Sequence, residues 1–282
     1  TVLGLPLTKV PIIPTEVGGG FGGKLGILVG PTAVLAVKAG KPVKMVLSRE
    51  EEFTCTRPRH PCTIKVKAGF KRDGSIVAMR VDFIMDAGAY ADFSPATAGR
   101  AASATRGPYH VPNGLFRGCA VYTTRLSSGA YRAPGFPQAI FAVERMMDTA
   151  ALQLAIDPVE LRLKNGLKDG DLTFAGERLK RSSFRDNLKA VAEKIGWEKK
   201  PALSKTEGTA PNRGLGVACG HWNVAGFPCS VNLKINEDGT INLITGAVNL
   251  TGTTTSIAQM VADEFGVPME DVSVVVGDTD TT

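Results

Sequence analysis

The segment Leu3-Gly-Leu-Pro-Leu-Thr-Lys-Val-Pro-Ile-Ile13 returns near the far end of the chain as Phe265-Gly-Val-Pro-Met-Glu-Asp-Val-Ser-Val-Val275. Each copy reads as a helix end, a glycine, a proline turn, a polar pair and a buried strand. A hairpin and a helix precede the second copy. Hairpins followed by a helix and a returning strand, used twice, imply an α+β architecture: mixed sheets with helices on one face, built by internal duplication. Only Thr1 and Val2 precede the first copy, too few residues for a helix. The second copy stops soon after its strand. The expectation is an interior piece of a longer protein, or one chain of a split assembly. Residues 1–213 would form a first domain and 214–282 the start of a second.

Around this frame the sequence predicts strands over 9–15, 41–47, 63–70, 76–84 and 115–124. Helices are expected over 27–39, 137–154, 157–165, 184–195 and 254–265. Turns fall at Asp73-Gly74 and Asp238-Gly239, 86–113 reads as loop with some helix, and 199–213 as a surface linker. The 282 residues are 43% hydrophobic and 21% charged, the balance of a globular protein, and their apolar runs are strand-sized, so no membrane span is expected. The net charge of +6 is spread thinly, without the basic stripe and interleaved aromatics of a nucleic-acid binder. Five cysteines with no CxxC, and three histidines without HxxxH spacing, argue against a disulfide framework, a structural zinc or an iron–sulfur cluster.

The densest functional signal is Gly18-Gly19-Gly20-Phe21-Gly22-Gly23-Lys24. Glycine is used where backbone takes positive φ or approaches another group closely. A glycine turn between a strand and a helix presents N–H groups to an anion. The run fits GxxxxGK, but Leu25 stands where a Walker loop needs Ser or Thr for magnesium. It contains GxGxxG, but no acid in a clear second strand follows to hold a ribose. The plainer reading is a tight turn that lets a helix pack on a sheet. A second candidate is Ala130-Tyr131-Arg132-Ala133-Pro134-Gly135-Phe136-Pro137-Gln138, where an arginine in a Pro-Gly turn leads into a helix. That suits an anion or oxo group, or simply a solvated surface turn. A third is Thr251-Gly252-Thr253-Thr254-Thr255-Ser256, whose hydroxyls are helix caps or donors to phosphate or pterin oxygens.

Together and in this order the motifs resemble the molybdenum-cofactor subunit of the xanthine dehydrogenase and aldehyde oxidase family of molybdenum hydroxylases. The resemblance spans the chain. It includes Glu16-Val-Gly-Gly-Gly-Phe-Gly-Gly-Lys24, Ser48-Arg49-Glu50-Glu51, Arg57-Pro58-Arg59-His60-Pro61, the Arg132 segment and Asp157-Pro-Val-Glu-Leu-Arg-Leu-Lys-Asn165. It implies a molybdenum–molybdopterin cofactor, often the cytosine dinucleotide form in bacteria, with no protein side chain on the metal. It also implies hydroxylation of a heterocycle or aldehyde with oxygen from water, and electrons leaving through iron–sulfur and FAD partners. Site residues carried over are Gly19, Gly20, Phe21, Gly22, Arg132, Ala133, Thr251 and Gly252 for the cofactor, and Phe21, Arg132 and Arg100 on the substrate side. Partners would be the remaining molybdenum-subunit segments and a small-molecule substrate, in the cytoplasm.

Departures narrow this reading. Leu25 replaces a purine-reading glutamate, so xanthine fits poorly. Ala133 replaces the copper-binding cysteine of carbon monoxide dehydrogenases. Thr251 replaces a cofactor-bonding glutamine. The family's glutamate base and a glutamine beside the metal come from segments outside this sequence, so the chain by itself is expected to be inactive. The alternatives are a scaffold that keeps the fold without turnover, or a phosphate-binding module, against which Leu25 argues.

Overall fold

The computed structural model describes residues 3–173, 176, 178–199, 214–222 and 230–280; most of the expected linker, and Cys229, lie outside them. In chain order the elements are α1 (Val29–Ala39), α2 (Arg49–Cys55), β1 (Cys62–Phe70), β2 (Ile76–Gly88), α3 (Ser94–Ala104), β3 (Asn113–Tyr122) and α4 (Phe136–Leu154). Then follow α5 (Pro158–Asn165), α6 (Phe184–Ile195), β4 (Val231–Ile235), β5 (Ile241–Thr245), α7 (Thr253–Phe265) and β6 (Val272–Val276). By contact the chain divides into one unit of Thr1–Thr56 with Val224–Thr282 and another of Arg57–Asn223. No described helix is long and apolar enough to cross a membrane.

In the Arg57–Asn223 unit, β1 and β2 form an antiparallel hairpin, and β3 returns parallel to β2 after α3. The hairpin turn is held by Asp73, whose carboxylate accepts from the Ser75 N–H at 3.0 Å, and by Gly74 at φ 86°. β2 alternates as a strand buried on one face must. Met79, Val81, Phe83, Met85 and Ala87 are buried, while on the other face Asp82 pairs with both Arg80 and Arg117. The buried face receives α4 through Ala139, Val143, Met147 and Ala150, a stripe at helical spacing. Each such valine or methionine contributes about 1.5–3 kcal/mol of burial. Gly118 leaves the space that the Phe83 ring fills, since a Cβ there would lie 1.9 Å from the ring.

The other unit repeats the plan. β4 and β5 form a hairpin, α7 follows, and β6 returns parallel to β5. α7 packs Ala258 and Ala262 on Ile241 and Val272. The expected architecture of mixed sheets, hairpin, helix and returning strand used twice, is therefore the one observed. The sequence repeat is also conformational. Gly4 and Gly266 sit at φ 66° and 67°, and Pro6 and Pro268 share φ −58° with ψ 144° and 145°. Both prolines open a 3₁₀ turn, Leu7–Lys9 and Met269–Asp271.

The copies diverge where the strand should follow. Residues 9–15 and 41–47, expected as strands, are not strands. Pro11 and Pro14 stand where the second copy has Ser273 and Val276, and proline withholds a ladder donor. Pro42 does the same in the second stretch. Ile12 keeps only a paired exchange with Thr279, donating to Oγ1 at 2.9 Å and accepting from its N–H at 3.3 Å. Helix α2 was not expected. Its start is a full capping box, in which Ser48 and Glu51 bond each other's backbone N–H at 3.2 and 2.7 Å.

Candidate functional site

Five described non-glycine residues carry positive φ: Phe21 at 49°, Asp92 at 37°, Ala133 at 57°, Ala155 at 53° and Thr251 at 50°. Ala155 is the C-cap of α4 and Asp92 is paired with Arg57 at 2.9 Å. The other three are site candidates from the sequence. A side chain held in the left-handed region costs about 1–2 kcal/mol and persists where surrounding structure or function demands it.

In the unit that holds both ends of the chain, the glycine loop closes through Gly23 N–H donating to Gly20 O at 2.8 Å. Its central residues, Phe21 and Gly22, have φ 49° and 99°, the signature of a type I′ turn. The Phe21 ring folds back over Gly19, where a Cβ would come within 3.0 Å of it; Phe21 nevertheless stays 61% exposed. Gly20 has the Lys24 stem against it, 3.4 Å from where its own Cβ would lie. The strand-like entry to the loop pairs with the segment before α7 as an isolated parallel bridge, Val17 to Leu250, through a 3.2 Å bond from Val17 N–H to Asn249 O. This brings the predicted Gly19–Gly22 and Thr251–Gly252 groups onto adjoining backbone.

There the pattern recurs. Thr251 and Gly252 again have consecutive positive φ, 50° and 94°. Gly252, the N-cap of α7, has no side chain to bond the first turn, and Asn249 Oδ1 takes only the Thr254 N–H, at 3.5 Å. Of the hydroxyls, Thr253 bonds Leu250 O and Ser256 bonds Gly252 O. A groove of about 410 Å³ beside them is lined by Glu16, Asn249, Thr254, Thr255 and the apolar Ala258, Val272 and Val274, among others.

In the Arg57–Asn223 unit the Arg132 turn leads into α4. Ala133 O accepts from Phe136 N–H at 3.1 Å, and Gly135, at φ 85°, is again a helix cap without a side-chain bond. A Cβ on Gly135 would lie 2.6 Å from Thr97 O and 2.8 Å from Ala101 N, so only glycine lets α4 start against α3. Arg100 lies on that stretch of α3, half-buried, and Arg132 is exposed. The sequence reading missed what holds this turn. Arg59 donates to Arg132 O at 2.8 Å and lies 4.4 Å from the Tyr131 ring centre; Gln138 donates to His60 O at 3.2 Å. Burial holds the Arg59 and His60 pKa values below their ordinary ones. His60 is buried and hydrogen-bonded to Ser94 Oγ at 2.9 Å. Burial also raises the Cys62 and Cys219 thiols to about 11, so neither is poised as a nucleophile. Among the described residues no cluster of His, Cys, Asp or Glu could hold a metal ion.

Each turn by itself suits part of a pterin cofactor: backbone and hydroxyl donors for an oxygen-rich ligand, with an exposed aromatic at the glycine loop and an exposed arginine ahead of α4. Molybdopterin cofactor-binding domain models match residues 1–166 and, in a second form, 190–282. The xanthine dehydrogenase molybdenum-binding subunit of Escherichia coli O157:H7 is 38% identical over 99% of this chain, which spans 39% of that relative. The nicotinate dehydrogenase large molybdopterin subunit of Eubacterium barkeri is 41% identical over 70% of the chain and 48% of its own length. The aldehyde oxidoreductase structure from Desulfovibrio gigas superimposes with a TM-score of 0.82 at 26% identity, over 99% of this chain and 32% of that one. The chain thus spans less than half the length of each of these relatives. It belongs to the molybdopterin cofactor-binding family of the xanthine dehydrogenase and aldehyde oxidase group of molybdenum hydroxylases.

Proposed function

We propose that this chain forms part of the catalytic subunit of a molybdenum hydroxylase acting on an N-heterocycle or an aldehyde. The observation that carries the reading is the strain: Phe21, Ala133 and Thr251 all sit at positive φ beside glycine-rich turns. When bound, the molybdenum–molybdopterin would insert oxygen from water at a substrate carbon and accept the electrons released. The cytosine dinucleotide form of the cofactor belongs to the same proposal, with iron–sulfur and FAD domains as electron acceptors.

The chain's own residues hold and orient. Gly19, Gly20 and Gly22 give backbone approach on one side, and Thr251, Gly252 and the first turn of α7 offer donors on the adjoining segment. Arg132 and Ala133 present a cation and a backbone donor ahead of α4, whose N-cap Gly135 makes no side-chain bond. Phe21 and Arg100 would face substrate, one as an apolar wall and the other as a cation. Leu25, 51% exposed next to the loop, favours a less polar ring than a purine. The remaining molybdenum-subunit segments are the expected partner. α1 has no buried residue, and Val29 and Val37 on it are each 64% exposed, an apolar helix that calls for a cover.

The test is metal and pterin analysis of the full-length protein that carries this segment, with turnover of an N-heterocycle and an aldehyde. Equimolar molybdenum and pterin, with turnover lost in Phe21→Ala but folding retained, is the expected result. Native protein free of molybdenum would leave the scaffold reading, which Thr251 favours by replacing the cofactor-bonding glutamine. Bound nucleoside triphosphate would restore the phosphate-binding reading.

A further inference from the structure

The Arg57-Pro58-Arg59-His60-Pro61 segment has no role in the function proposed above, yet its contacts converge on the Arg132 turn. The Arg59 guanidinium reaches three points, two on the Arg132 turn and one on the first turn of α4. One Nη donates to Arg132 O at 2.8 Å, the other to Gln138 Oε1 at 3.4 Å, and the carbon between them sits 4.4 Å from the Tyr131 ring centre. Gln138 closes the ring of contacts by donating to His60 O at 3.2 Å. The base is anchored on both sides. Arg57 pairs with Asp92 at 2.9 Å, Gly129 N–H donates to Pro58 O at 3.1 Å, and buried His60 bonds Ser94 on α3.

A trans peptide holds its C=O and N–H antiparallel, and no cis peptide occurs among the described residues. Fixing Arg132 O toward Arg59 therefore turns the Ala133 N–H the opposite way. It also holds Ala133 at φ 57°, the bend that starts α4.

We infer that Arg59 is a positioning residue: it sets the plane of the Arg132–Ala133 peptide and so aims the Ala133 N–H and the Arg132 side chain at the bound cofactor. The inference rests on the cofactor reading proposed above. The fork geometry is essential, because a lysine brings one nitrogen and no planar face to stack on Tyr131.

The experiment compares wild type, Arg59→Ala and Arg59→Lys in the full-length enzyme. It measures amide hydrogen exchange over 129–136, molybdenum and pterin content, thermal unfolding, and kcat and KM separately. Expected in both variants is exchange faster by about tenfold, confined to the 129–136 peptide, since local opening of an unfastened turn needs little free energy. kcat should fall on the order of tenfold to a hundredfold, with KM changed less than about threefold, as for misplaced reacting groups. Added guanidinium should restore part of the Arg59→Ala loss. Unchanged exchange at 129–136, exchange raised equally across the whole Arg57–Asn223 unit, or full activity in Arg59→Lys would overturn the inference. Wild-type enzyme lacking molybdenum overturns the cofactor reading instead, and the exchange comparison then still decides whether Arg59 fixes the turn.

Discussion

Replacing Glu144 by glutamine should destabilise the Arg57–Asn223 unit by about 3–5 kcal/mol, the cost of breaking a buried ion pair from one side. Glu144 is 5% exposed and Arg162 wholly buried. One carboxylate oxygen accepts from Tyr109 Oη at 2.5 Å; the other accepts from Arg162 Nε and Cys219 N–H, both at 2.8 Å. Burial, then the Glu144 charge, pushes the Tyr109 hydroxyl pKa up, which keeps its proton available for donation. Burial alone would lower the Arg162 pKa, but Glu144 and its other neighbours outweigh it and raise it. Glutamine removes the charge and sets an NH₂ against at least one of three donors. Hydrogen bonds to charged groups are worth about 1.5–3 kcal/mol each. Asp148, 2.8 Å from Arg162 but 38% exposed, compensates only in part. Both tryptophans lie in this unit, and Trp197 is 7% exposed, so tryptophan emission during urea unfolding of the full chain reads it. With a slope of about 1–3 kcal/mol per molar, the midpoint should fall by about 2 M. The double variant Glu144→Leu with Arg162→Leu should cost less than the sum of its two single variants, since it orphans no charge even though it leaves the Tyr109 hydroxyl and the Cys219 N–H unpaired. A Glu144→Gln cost below about 1 kcal/mol, or strict additivity in the double variant, refutes the reasoning.

Gly118→Ala should cost about 1–3 kcal/mol by overpacking against Phe83, read as a lower urea midpoint; an unchanged midpoint would mean the ring moves freely. His60 and His221 are both held below the ordinary imidazole pKa of 6.5, chiefly by burial. Depressed folded values mean the unfolded chain binds more protons, so this contribution is complete above 6.5 and is lost as pH falls through the folded values. Urea midpoints should therefore drop from pH 8 to pH 5.5, and His60→Gln should flatten that slope. Asp73 is held down to about 2 by the Ser75 backbone bond first and then by Lys164. Its contribution is present above 3.8 and is lost as pH falls toward 2, so Asp73→Asn should remove part of the acid sensitivity seen by circular dichroism.

Local physics explains what could be read from the sequence. The stripe Ala139, Val143, Met147 and Ala150 marks α4, and Asp157-Pro158 marks α5 because the carboxylate accepts from the Val159 N–H at 2.8 Å. Asp-Gly turns mark both hairpins, and Gly40 ends α1 at φ 61°. What escaped was non-local. Whether 9–15 becomes a strand depends on a ladder partner, and its prolines remove donors that a run of β-branched residues would otherwise supply. Helix α2, at seven residues, is too short for a periodic stripe, although Ser48-x-x-Glu51 carries its cap. The glycine and threonine turns were legible because their composition is itself the conformational signal. The Arg59 clamp was not, since its two ends lie 73 residues apart and no periodicity encodes their meeting.

The three strained residues are not equivalent, and the difference separates packing from use. Ala133 is half-buried and packs against the core cluster that includes Phe136 and Ala139, so packing can offset its conformational cost. Phe21 and Thr251 are exposed, so burial offsets little of theirs. Glycine at either position would relieve about 1 kcal/mol of left-handed strain, at a smaller cost in unfolded-chain entropy. Phe21→Gly and Thr251→Gly should therefore leave the melting temperature unchanged or raise it, while cofactor retention and turnover of the full-length enzyme decline. Ala133→Gly should instead lower the melting temperature. If both exposed positions lose stability on becoming glycine, their side chains serve packing, and the strain points to no ligand. If stability holds while cofactor retention falls, the side chains are kept for the ligand at the expense of the fold.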